Sequence, residues 1–143
     1  MISYARQVSP FVERAERAYR LWLGRSSEVP RTEVLANAAS VQRWEFASWV
    51  EALSQIAPPP EAAKLHGQML AGLRDGARAS QLLSSGYRST TYFAVCDGQA
   101  LLVRALDCLR PVGEQIAQWS ALPIPAAPAR RRPAARAEAR RAS

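Results

Sequence analysis

Lysine is almost missing from this sequence, histidine occurs once and cysteine twice. Each shortage narrows the chemistry. Nucleophile-plus-base catalysis of the hydrolase or thiol-protease kind generally draws on a histidine, and here only His66 can supply one. Carboxylate-bridged di-metal bundles need two Glu-x-x-His motifs. The residue three before His66 is Ala63, which excludes that class. Cys96 and Cys108 lie in no CxxC or Cys/His cluster, so neither a metal nor a redox role is indicated. There is no GxxxxGK[ST] loop to cradle phosphates, and no carboxylate pair stands out for glycosidase chemistry. From these absences the sequence is expected to hold no catalytic residues, no cofactor and no metal.

Long apolar runs are also lacking. The longest uncharged stretch, residues 115–129, is interrupted by Pro123, Pro125 and Pro128, so no membrane span is expected. The opening residues lack the cationic segment and apolar run of a secretory signal, which points to the cytoplasm. There the two thiols are expected to be free and buried. Sustained apolar/polar alternation, the mark of a half-buried strand, is missing as well.

What remains is helical patterning. Tyr4, Val8, Phe11, Ala15, Ala18 and Trp22 recur at alternating intervals of four and three, a single apolar seam. Pro10 lies within it: either Ser9 caps a helix that starts at Pro10, or a longer helix kinks there, and the seam's continuity back to Tyr4 favours the kink. Gly24 and Ser26-Ser27 are expected to end this element. Thr32 is placed to cap a second helix with the seam Leu35, Ala39, Gln42, Phe46, Trp49, Leu53 and Ile56, stopped by Pro58-Pro59-Pro60. A third helix should start near Pro60 and carry Ala62, His66, Met69, Leu73, Gly76, Ser80 and Leu83 inward, ending at Gly86. Gly67, Gly72 and Gly76 each weaken it by about 1 kcal/mol relative to alanine, so the helix is either closely packed or mobile. Ser89 or Thr90 can cap a fourth helix with the seam Val95, Gly98, Leu102, Ala105, Leu109, Val112, Ile116 and Trp119, kinked by Pro111. Both cysteines then share one helix, about 18 Å apart along its axis and beyond disulfide reach.

Four amphipathic helices with short connections predict an all-α, antiparallel up-down-up-down four-helix bundle over residues 1–122. Residues 123–143 are rich in Pro, Ala and Arg and are expected to form a disordered basic tail. The formal charge is +7, and +5 of it falls in residues 126–143, leaving the body close to neutral. Arginine supplies 18 of the 19 basic residues, an imbalance that looks like the codon bias of a GC-rich bacterial genome.

Two features stand outside the core. Trp44 falls among Asn37, Ser40, Ser48, Glu51 and Gln55 on the polar face of the second helix, where an exposed aromatic marks a candidate protein interface. Arg130, Arg131, Arg132, Arg136, Arg140 and Arg141 are candidate nucleic-acid contacts, suited to phosphates but without aromatics to stack bases. His66 lies on an apolar seam and is expected to be a satisfied core residue.

The run Pro58-Pro59-Pro60-Glu61-Ala62-Ala63-Lys64-Leu65-His66 resembles uncharacterised bacterial four-helix-bundle proteins, in which a proline-rich break precedes a helix carrying a Leu-His pair. The resemblance spans about residues 4–120 and implies the bundle fold, with no activity attached. In size, helicity and charge the chain is also similar to small helical subunits of RNA-guided effector complexes. The reading is therefore of a non-enzymatic module acting through a protein partner or self-association. The alternative is a nucleic-acid-associated helical protein, such as a nucleoprotein-complex subunit, with the tail on phosphates.

Overall fold

The computed structural model describes residues 1–25 and 32–121. They form four helices: α1 (Ile2–Arg25), α2 (Thr32–Ser54), α3 (Ala63–Ser89), introduced by a 3-10 turn at Pro60–Ala62, and α4 (Tyr92–Ser120). The arrangement is the antiparallel up-down-up-down bundle. Gly72 lies against Leu109 and Gly98 against Leu83, so α3 and α4 run in opposite directions, while Gly113 of α4 lies against Val12 and Glu16 of α1. No strand occurs among the described residues.

The seams are the core. Val8, Ala15, Phe46, Leu53, Met69, Leu73, Leu83, Leu102, Leu109 and Ile116 are all buried in one cluster. The α1 stripe is wider than its seam, since Ala5, Val12 and Tyr19 are buried too. Phe11, Leu35, Trp49, Ile56, Val95 and Trp119 pack at its margin, half-buried. Trp49 meets Phe46 edge-on, with ring centroids 5.1 Å apart.

α1 is continuous through Pro10. Ser9 caps nothing; its hydroxyl donates to Glu13 Oε1 one turn on. α2 stops at Ser54, two residues short of the expected Ile56, because its last turn tightens: Gln55 N–H bonds to Ala52 and Ile56 N–H to Leu53.

Gly86 does not end α3. A Cβ there would lie 2.8 Å from Val95 Cγ2 and 2.9 Å from Val95 N, so the glycine serves the close approach of α4 inside the helix. The helix runs on to Ser89 and closes at Thr90, whose φ of 53° is left-handed. Thr91 N–H bonds to the Gly86 carbonyl, the six-to-one link of a Schellman ending. Ser89 and Thr90 therefore belong to the end of α3 and not to a cap of α4, which follows Thr91 without a side-chain cap.

Gly72 and Gly76 resolve the question of the glycine-rich seam in favour of close packing. A Cβ on Gly72 would lie 2.8 Å from Leu109, and one on Gly76 2.7 Å from the Phe46 ring. Gly67 faces open space. Cys96 and Cys108 are free on α4, but Cys108 is exposed and Cys96 half-buried, against the expectation that both are buried. Position 108 lies one residue off the seam residue Leu109, which turns it out by about 100°.

Candidate functional site at the outer face of α2

His66 is a joint between three helices. Its Nδ1 lies 2.8 Å from the Tyr4 hydroxyl of α1, and the ring also bonds to the Leu53 backbone at the end of α2. A bond that favours the protonated ring is one that the ring donates, so its acceptor is the Leu53 carbonyl, which also receives the Ile56 N–H. At 6% exposure the ring is buried. Burial holds its pKa below the ordinary 6.5, and the Leu53 bond pulls the other way. Burial also pushes Tyr4 up to about 12. Held by Tyr4 and by the Leu53 backbone, His66 fastens the fold.

Tyr19 has a similar part. Its ring stacks on Phe46 at 5.1 Å, and its hydroxyl donates to the Gly72 carbonyl at 2.9 Å. Burial raises its pKa, and the charge of Asp75 raises it further.

The outer face of α2 differs from this closed interior. Trp44 is 72% exposed, and Val34 and Val41 are exposed as well. Positions 34, 41 and 44 are seven and three residues apart, which places them along one side of the helix over about 15 Å. Trp44 borders a hollow of about 150 Å³ between α2 and α3, lined also by Ser40, Arg43, Gln81, Ser84, Ser85 and Arg88. Ser40 and Ser84 hydroxyls meet at 2.7 Å, and Arg88 Nη2 donates to Ser40 Oγ at 3.1 Å. Every polar group in this lining can donate, and none is a carboxylate.

The face at Trp44 was visible in the sequence; its neighbours were not. Ser40 stands beside Ser84 and Arg88 only because α2 and α3 pair antiparallel in one register, a relation across 44 and 48 residues of chain. Tyr92 and Phe93 form an exposed aromatic pair on α4, 74% and 78% exposed. The seam Val95, Gly98, Leu102 already put Phe93 on the far side of α4, a signal available from spacing alone. The Tyr92 hydroxyl donates to the Cys96 sulfur, which raises the Tyr92 pKa.

A groove of about 390 Å³ between α1 and α4 is lined by Glu13, Glu16, Arg20, Arg110 and Glu114 among others. Its charges are mixed, and Arg20 lies 3.9 Å from Glu16 within it. Among the described residues no three His, Cys, Asp or Glu side chains gather as metal ligands. No described helix is long and apolar enough to cross a membrane. Arg130, Arg131, Arg132, Arg136, Arg140 and Arg141 lie outside the described residues. No family model, curated protein or solved structure matches the chain.

Proposed function

We propose that this protein is a non-enzymatic helical interaction module that docks a protein partner, or a second copy of itself, on the outer face of α2. The observation that carries the reading is Trp44, 72% exposed in line with Val34 and Val41 on a helix whose opposite side fills the core. Apolar side chains aligned on an otherwise polar surface are the usual centre of an interface, and tryptophan is the residue most often found to dominate one. Two unpaired thiols suit a reducing compartment, and on that ground we assign the module to the cytoplasm.

Trp44→Glu tests the docking face. Sedimentation of the wild type and the variant should show assembly weakened by about tenfold or more. A photo-reactive residue at position 44 should cross-link a defined protein in cells, whereas one at Gly67 should not. Unchanged assembly together with no cross-link at position 44 removes the α2 face.

A second reading rests on charge. Because +5 of the +7 lies in residues 126–143, that segment is suited to neutralise phosphates of a nucleic acid. Removing residues 126–143 should then abolish most affinity for a generic duplex or single strand in gel-shift titrations. The affinity of the full chain should fall steeply between two salt concentrations. Equal binding with and without the segment refutes this role.

A further inference from the structure

We infer that the hollow between α2 and α3 is a carboxylate-binding subsite, and that the partner docking on α2 presents an acidic side chain beside an apolar one. The inference rests on the α2 interface reading and specifies the chemistry of what binds there.

The first ground is how Arg88 is held. Ser84 is only 8% exposed. Its hydroxyl meets Ser40 Oγ at 2.7 Å, and Ser40 Oγ accepts from Arg88 Nη2 at 3.1 Å. A serine pair, one member buried, thus orients an exposed guanidinium at the protein surface. Among the described residues neither Arg88 nor Arg43 has a carboxylate within ion-pair distance. Glu33 lines the next hollow along with Arg88 but makes no ion pair with it. A guanidinium held in place with most of its N–H groups unspent matches a planar carboxylate through two parallel hydrogen bonds. Because the serine pair already fixes the side chain, little of its freedom remains to be lost on binding.

The second ground is complementarity. Arg43, Gln81 and Ser85 complete a lining of donors around about 150 Å³, room for one small acidic head group. Trp44 at the rim offers an apolar wall to the neighbouring side chain. A nucleic-acid strand fits less well. Along α2 it would meet the exposed Glu33, Glu45 and Glu51, with Arg43 the only basic residue of that helix. Strand binding needs successive phosphate contacts.

The test uses the full chain and two fluorescein-labelled amphipathic peptides, one with Glu four residues from each Leu and one with Gln in place of every Glu, read by anisotropy. Arginines of residues 126–143 attract any acidic peptide, so the subsite is read as the affinity lost in Arg88→Gln, where that segment is intact. The Glu peptide should bind the wild type about tenfold more tightly than it binds Arg88→Gln. The Gln peptide should not distinguish them. Ser84→Ala, which removes the support and leaves both arginines, should lose part of the same preference with helicity unchanged by circular dichroism. An oligo(dT) strand and inorganic phosphate complete the set. The inference is overturned if Arg88→Gln leaves Glu-peptide affinity unaltered, or if either phosphate probe depends on Arg88 more strongly than the peptide does. Equal binding of both peptides that is still lost in Trp44→Glu overturns the carboxylate subsite alone. Absence of binding by either peptide, with no cross-link at position 44, overturns the interface as well.

Discussion

α3 and α1 meet their neighbours in opposite ways. α3 approaches α2 and α4 closely enough that Gly72, Gly76 and Gly86 have no room for a methyl group. α1 packs along α4 but stands off from α2 and α3, and reaches them with long side chains: Tyr4 to His66, Tyr19 to Gly72 and Phe46, Trp22 to Tyr87. Close helices are held by shape, with each contact worth little and the sum large. Helices farther apart are held by a few rings whose hydroxyls must find partners once buried. The first kind should fail through volume and the second through polarity.

Volume gives the largest effects. Leu109→Ala empties the space against Gly72 and should cost about 2–5 kcal/mol in denaturant-induced unfolding. A loss below about half a kcal/mol would mean that α3 and α4 are not in contact there. Gly76→Leu adds bulk where Tyr19 and Phe46, both buried and stacked on each other, cannot move aside. Overpacking should lower stability by about 1–3 kcal/mol in the same assay.

Polarity gives smaller ones. Tyr19→Phe keeps the stacked ring and deletes only the bond to Gly72, so a loss of about 1 kcal/mol is expected. At His66 the effect depends on pH. Its pKa is lowered in the fold, so the folded state favours the neutral ring and the unfolded chain takes up the proton first. This stability is therefore fully present above about pH 6.5 and is lost as pH falls through that value, by at most about 1.4 kcal/mol per pH unit. His66→Gln should remove that part of the acid dependence, seen as melting temperatures that no longer diverge from pH 7 to 5.5. The smallest change has the opposite sign. Gly67 touches nothing, so Gly67→Ala should stabilise by up to about 1 kcal/mol in thermal melts, and a loss would show that this glycine is packed after all.

The same contrast explains what the sequence revealed. Seam positions were legible in all four helices because burial repeats with helical periodicity, and Leu102, Leu109, Met69 and Leu83 are buried as spacing requires. The value of Gly72 and Gly76 as packing residues was open to the same reading. Gly86 was misread because a glycine near a helix end looks the same whether it caps the helix or admits a neighbour. Asp75-Gly76 and Asp97-Gly98 are likewise turn-favouring pairs that lie inside helices, where each glycine faces another helix. Of the candidate site, Trp44 was legible from helical phase. The Ser40–Ser84–Arg88 chain was not, since it depends on register between two helices, and Tyr4–His66 joins residues 62 apart.

The link between α3 and α4 has a consequence for the order of assembly. Only Thr90 and Thr91 separate two long antiparallel helices, so this hairpin closes with almost no loop entropy and its contacts are local in sequence. α1 is the reverse case, since Val12 and Glu16 meet Gly113 across about a hundred residues. Local contacts carry the smaller closure entropy, which favours early closure of the α3–α4 hairpin and later docking of α1. α1 precedes all of its partners in the chain, and its contacts with α4 wait until that helix has been synthesised.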